Sequence, residues 1–226
     1  MDMYWILIGG TMLLSIIVQL NLKAKEKRYS KIPTPFGLTG ADIARRMLSE
    51  NGIKDVKVLA TSGILTDHYN PQNKTVNLSE NVYNSSNIMA AAVAAHECGH
   101  ALQHAYGYAP LKMRSALVPV VNFASQFVMW ILLAGIIMIE SFPQLMLAGI
   151  ILFATTTLFS FITLPVEINA SKRALAWLSN SRLTDYETQE PAEKALRAAA
   201  YTYVVAAIGS LATLLYYIMI FLGRRD

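Results

Sequence analysis

One cysteine, four histidines and a charged fraction of only 15% are the scarcities of this 226-residue chain. The lone cysteine, Cys98, excludes an intramolecular disulfide and fits a domain in a reducing compartment. The shortage of charge is not spread evenly. Average soluble domains carry about 25% charged residues, and here four long stretches carry none. They are 3–22, apolar apart from Gln19 and Asn21, then 116–139, 144–164 and 199–222. Each is long enough to cross a hydrocarbon core about 30 Å thick, which takes about 20 helical residues. With 54% hydrophobic residues overall, this pattern excludes an ordinary soluble globule and predicts a mainly α membrane protein with about four transmembrane helices.

Basic residues set the expected topology. The chain starts "MDMYW", with an acid and no base before the first apolar run, which is the wrong order for a signal peptide. The bases follow instead, at Lys23, Lys25, Lys27, Arg28 and Lys31, and positive residues stay on the cytosolic side. Lys112 and Arg114 precede the second run, and Lys172, Arg173, Arg182, Lys194 and Arg197 lie between the third and fourth. Segments 23–115 and 165–198 are therefore expected in the cytosol, and of the 19 Lys and Arg only Arg224 and Arg225 fall on the far side. The net charge of +4 is explained by this asymmetry, so no nucleic-acid partner is expected. The lipid bilayer is. The triplets at Asn73, Asn77 and Asn84 match a glycosylation pattern only by chance on a cytosolic segment.

The first cytosolic segment has an α+β pattern. "KIPTPFG" is too proline-rich to be helical throughout. "TGADIARRMLSENG" reads as an amphipathic helix with Thr39 as its cap and Gly52 as a left-handed stop. "VKVLA", "GILTDHY" and "TVNLS" read as strands, the last two joined by the polar turn "NPQNK". "SSN" then caps a helix that starts near Ile88 and runs through "VAAHECGHALQHA".

That last stretch carries the chemistry. His96 and His100 are four residues apart, so on a helix they share a face and two imidazoles can reach one Zn²⁺ at about 2.0–2.1 Å. Glu97 between them is placed to act as general base. The bland alternative is a helix that happens to carry two histidines. The apolar run "NIMAAAVAA" before it argues otherwise, because burying Glu and His without partners or metal is costly. Gly99 costs about 1 kcal/mol in a helix interior, which suggests close approach by another element. His104 lies on the same face, but eight residues rise about 12 Å. It is expected to be a neighbour or a substrate contact, not a ligand.

A catalytic zinc takes three protein ligands and keeps one position open. The third ligand is expected among His68, Asp67, Glu80, Glu167, Asp185, Glu187, Glu190 and Glu193. Glu167 stands out. It follows the third apolar run by a few residues in "LPVEINASKRALAW", where an acid needs a partner. The alternative is a surface pair with Lys172 or Arg173.

"AAHECGHALQ", "LPVEINASKRAL" and "LTDHYNPQNKTVNLSENVY" together resemble the bacterial neutral zinc metallopeptidases of the YugP-like type. The resemblance extends over nearly the whole chain. More distantly, the layout is similar to the gluzincin membrane proteases, the CAAX prenyl endopeptidase and heat-shock protease group. The resemblance implies a small cytosolic zincin-like metalloprotease unit in a bacterial plasma membrane. It also implies one Zn²⁺ per chain held by His96, His100 and Glu167, with Glu97 as catalytic base. Ser171 stands where the distant group has an aspartate that supports a zinc-binding histidine. Ser171 and Asn169 are thus candidates for supporting the ligands, and His68, Tyr69 and His104 for contacting substrate or an oxyanion.

The expected reaction is hydrolysis of peptide bonds in membrane-associated proteins or peptides near the cytosolic surface. The edge strand "GILTDHY" either pairs with substrate or simply covers the helix. The rival class is a membrane scaffold with a structural zinc, which would need a fourth protein ligand. Cys98 is badly placed for that, about 200° around the helix from His96. A metal transporter would need polar or charged residues inside several spans, and the second, third and fourth offer only scattered Ser, Thr, Asn and Gln.

Overall fold

The computed structural model describes residues 2–223, with side chains from residue 6 onward. Arg224 and Arg225, the two bases expected on the far side, lie outside the described residues. The chain is mainly helical with a small three-stranded sheet. It divides into two compact units, one comprising 18–111 and 165–201, the other 1–17, 112–164 and 202–226.

The first unit contains the sheet and the histidine helix. α2 (Gly40–Glu50) has the capping box its sequence encodes. The Thr39 hydroxyl accepts from the Asp42 amide at 3.2 Å, and Asp42 Oδ2 accepts from the Thr39 amide at 3.1 Å. Its buried face is Ala41, Ile43, Ala44, Met47 and Leu48. Gly52 ends it with φ at +73°, a conformation glycine adopts without strain.

Strands β1 (Lys57–Thr61), β2 (His68–Asn70) and β3 (Thr75–Ser79) form a sheet in the order β1-β3-β2. β1 runs parallel to β3, and β2 antiparallel to it. β3 is central, with Val76 and Leu78 fully buried. The strand expected over "GILTDHY" is much shorter than its apolar residues suggest. Gly63 and Leu65 have positive φ, at +104° and +59°, so the chain turns here and joins the sheet only at His68. Ile64 and Leu65 are left 75% and 71% exposed. Asp67 fixes the turn by accepting from the Ser79 amide at 2.8 Å.

A short helix that the sequence pattern did not show, α3 (Glu80–Asn84), precedes α4 (Ile88–Ala105). Asn87 caps α4 by accepting from the Ala90 amide at 2.9 Å. α4 is rich in alanine, and Ala90, Ala91, Ala92, Ala94 and Ala95 are all buried. Small side chains on this helix let its neighbours approach closely. The core around it includes Ile43, Met47, Leu78, Ile88, Leu178 and Leu183.

The other long helices are α1 (Asp2–Tyr29), α5 (Ala109–Ile137), α6 (Pro143–Asn180) and α7 (Tyr186–Gly223). Among the described residues these four are long and apolar enough to cross a membrane. In the second unit α5 and α6 form a tight hairpin. A Cβ on Gly135 would fall 2.6 Å from Met146 Cα, so only glycine fits there. Leu132, Met146 and Ile150 make its buried cluster, with Phe153 set edge-on to Tyr217 of α7. Phe123, Met129, Trp130 and Ile137 of α5 are exposed, as expected of a surface that lipid covers. α6 and α7 extend well beyond their apolar windows, so the polar segment between the third and fourth runs is built from their continuations.

Candidate metal centre

The site lies wholly within the first unit. α4 supplies His96 and His100, and α6 supplies Glu167. Glu167 Oε2 lies 3.2 Å from His96 Nε2 and 3.5 Å from His100 Nε2. The two imidazoles meet edge to face, with centroids 4.8 Å apart. All three donor atoms fall within 4.8 Å of one another. Ligands on a tetrahedral zinc are separated by about 3.4 Å when each bond is about 2.1 Å, so the two carboxylate–imidazole distances fit that ion. Glu167 is 3% exposed. A carboxylate buried this deeply is costly without partners, and the two imidazoles are partners it has.

The close approach that Gly99 suggested is present. A Cβ there would sit 2.6 Å from Ala170 O and 3.0 Å from Ala170 Cα. Gly99 thus lets α4 lie directly on the backbone of α6, three residues from Glu167.

Each imidazole is also held from behind. His96 Nδ1 is 3.0 Å from Ser171 Oγ, and His100 Nδ1 is 3.0 Å from Gln103 Oε1. Burial disfavours the charged form of His100. The Glu167 contact and the Glu97 and Glu167 charges outweigh it and hold its pKa above the ordinary value. Glu97 is buried beside these residues, and no hydrogen bond from another residue reaches its carboxylate among the described residues.

The remaining candidates are placed elsewhere. His104 Nδ1 is 2.7 Å from Tyr69 Oη, outside the trio. His68 is tied to its own sheet, with Nδ1 2.7 Å from Thr66 O and Nε2 3.2 Å from Asn77 Nδ2. Asn169 Oδ1 accepts from Gln103 Nε2 at 3.0 Å and from Arg173 Nε at 2.8 Å, so it stands behind His100 at one remove. Among the other acids, Asp67 holds Ser79, Asp185 caps α7 by accepting from the Thr188 amide, and Glu190 and Glu193 pair with Lys194 and Arg197. Cys98 Sγ faces Ala44 O at 3.6 Å, burial pushes its thiol pKa up, and its sulfur is not among the three donor atoms that come together.

Gln103 was not singled out from the sequence. The available signal was a polar residue three places after His100, on the same helix face, in a helix otherwise apolar there.

Two histidines and a glutamate on facing helices form a donor set of the kind zinc peptidases use. The family described as "Putative neutral zinc metallopeptidase" matches residues 4–222, and the chain belongs to that family. It is 45% identical over 213 residues to the "Putative membrane protease YugP" of Bacillus subtilis (strain 168), covering 94% of each chain. No solved structure gives a significant match.

Proposed function

We propose that this protein is a membrane-bound zinc metalloendopeptidase of the gluzincin kind. In this reading His96, His100 and Glu167 hold one zinc, and Glu97 is the catalytic base. The observation that carries it is the buried trio of donor atoms, drawn from two helices and joined by no fourth His, Cys, Asp or Glu among the described residues. Cys98 faces away and His104 pairs with Tyr69, so a position is left open, as catalysis needs and a structural site does not. Zinc, when bound, supplies Lewis acidity at the scissile carbonyl.

The residues of the chain do the rest. Glu97, whose carboxylate receives no hydrogen bond from another residue among the described residues, accepts the proton of the attacking water and passes it to the leaving amine. Burial keeps its charge from being screened by bulk water. Tyr69 keeps its proton, because burial raises its pKa. It can donate to the developing oxyanion when His104 Nδ1 carries the proton of their 2.7 Å contact and the Tyr69 oxygen accepts it. β2 is an edge strand, and a substrate chain adding there would gain main-chain pairing with little sequence selectivity.

The substrates are membrane-associated proteins or peptides, met at the cytosolic surface of a bacterial plasma membrane. Support for the location comes from the basic segments and from Glu167 lying three residues past the third apolar run. Two measurements test the proposal. Purified protein should carry about one zinc, and Glu167→Ala should lose both metal and cleavage, since one of three ligands is gone. Full zinc retention in that variant would sink the ligand assignment. Topology is read by cysteine labelling, for which buried Cys98 gives little background. An impermeant maleimide on intact cells should label Ser141→Cys, and Lys54→Cys only after permeabilisation. The opposite pattern would place the site outside.

A further inference from the structure

Gln103 is completely buried, and both ends of its amide are engaged. Nε2 donates to Val166 O at 2.8 Å and to Asn169 Oδ1 at 3.0 Å, while Oε1 lies 3.0 Å from His100 Nδ1. The orientation of an amide cannot be taken from shape alone, but here it is forced. A backbone carbonyl only accepts, so the nitrogen must face Val166 O. Arg173 only donates, so its 2.8 Å contact fixes Asn169 Oδ1 as a second acceptor. The oxygen of Gln103 therefore faces His100, and His100 Nδ1 must carry a proton. With Nδ1 committed to Gln103, Nε2, the atom facing Glu167, is the one that would meet zinc in the reading above. His96 has no such constraint, because the Ser171 hydroxyl that meets it can donate or accept.

The second end of the amide matters as well. Val166 immediately precedes Glu167, so Gln103 ties the backbone beside one metal-site residue on α6 to the helix carrying the other two.

We infer that Gln103 is a positioning residue that sets His100 in the Nε2-ligating tautomer and holds α6 in register at Glu167. The inference rests on the zinc reading above. The bland alternative is a buried amide that only satisfies helix packing. The two differ in what happens when one end of the amide is removed and the other kept. Gln103→Leu removes both ends. Gln103→Glu keeps an oxygen toward His100 but sets its other oxygen against two acceptors unless it is protonated.

The experiment uses full-length protein in detergent, with zinc affinity from chelator competition and thermal melting measured on the same samples. Gln103→Leu should bind zinc about 10–100-fold more weakly, the range found when partners behind metal-bound histidines are removed. Gln103→Glu should recover most of that affinity while still melting below wild type. Unchanged zinc affinity in Gln103→Leu with a lowered melting temperature would reduce Gln103 to packing and overturn the inference. So would a Gln103→Glu variant as weak as Gln103→Leu. If Gln103→Leu does not fold, nitrogen-15 histidine spectra of zinc-loaded wild type decide. A protected proton on His100 Nδ1 supports the inference, and one on Nε2 overturns it. A wild type that binds no zinc at all fails the zinc reading instead.

Discussion

Glu97→Gln should keep its zinc and lose cleavage of casein or a membrane-protein substrate by about 10²–10⁴-fold, the usual contribution of a positioned general base. Glutamine has the same shape and fits the same buried position, but cannot take a proton. The metal content should not move, because Glu97 lies outside the trio of donor atoms. The pairing of the two readouts is what makes the test sharp. Zinc lost together with activity would make Glu97 a ligand or a structural residue. Zinc kept with activity within tenfold of wild type would remove Glu97 from the chemistry. Zinc bound by both proteins and no cleavage by either would favour a structural site.

Gly99→Ala reverses an ordinary rule. In an exposed helix interior the change from glycine to alanine stabilises by about 1 kcal/mol. Here the new methyl would lie 2.6 Å from the Ala170 carbonyl oxygen and 3.1 Å from the carbonyl carbon. These are backbone atoms, which cannot swing aside as a side chain can, so α4 and α6 must separate. Overpacking of this kind costs about 1–3 kcal/mol. Glu167 is three residues from Ala170 on the same helix, so the shift carries its carboxylate away from His96 and His100. A displacement of about 1 Å at a catalytic site can cost about 100-fold in rate. The expected result is a lower melting temperature, weaker zinc binding and activity reduced on that scale. A variant that melts higher than wild type with full zinc would show that α4 and α6 are not packed through Gly99.

Two of the features that support the site were legible before any coordinates. His96 and His100 were placed on one face because helical spacing alone does that. Gly99 points to a close approach because glycine in a buried helix implies a close neighbour, and Ala170 is that neighbour. The membership in a zinc metallopeptidase family was also readable, from the motifs around His96 and Glu167, and the family match bears it out. Glu167 was harder. It was preferred over seven other residues only because an acid beside an apolar run needs a partner. The partner itself, a pair of imidazoles instead of Lys172 or Arg173, depends on how α6 crosses α4.

What the sequence determined by itself is local and periodic. Runs without charge gave four apolar helices, Thr39 and Asp42 gave a capping box, and a four-residue spacing put two histidines on one face. These follow from the geometry of a single element, in which side chains i and i+4 are neighbours whatever surrounds them. Only the tertiary structure decided which acid joins the histidines, how the Gln103 amide meets α6, and where β2 begins. The contacts that bring Glu167 to His96, and Val166 to Gln103, span 63–71 residues of chain between α4 and α6. "GILTDHY" reads as a strand because it carries Ile64, Leu65 and Tyr69 ahead of a polar turn, yet Gly63 and Leu65 adopt positive φ and only the last residues find β3. An apolar pattern shows that a segment can pair or pack, and which of its residues do so is decided by the partner it meets in the folded chain.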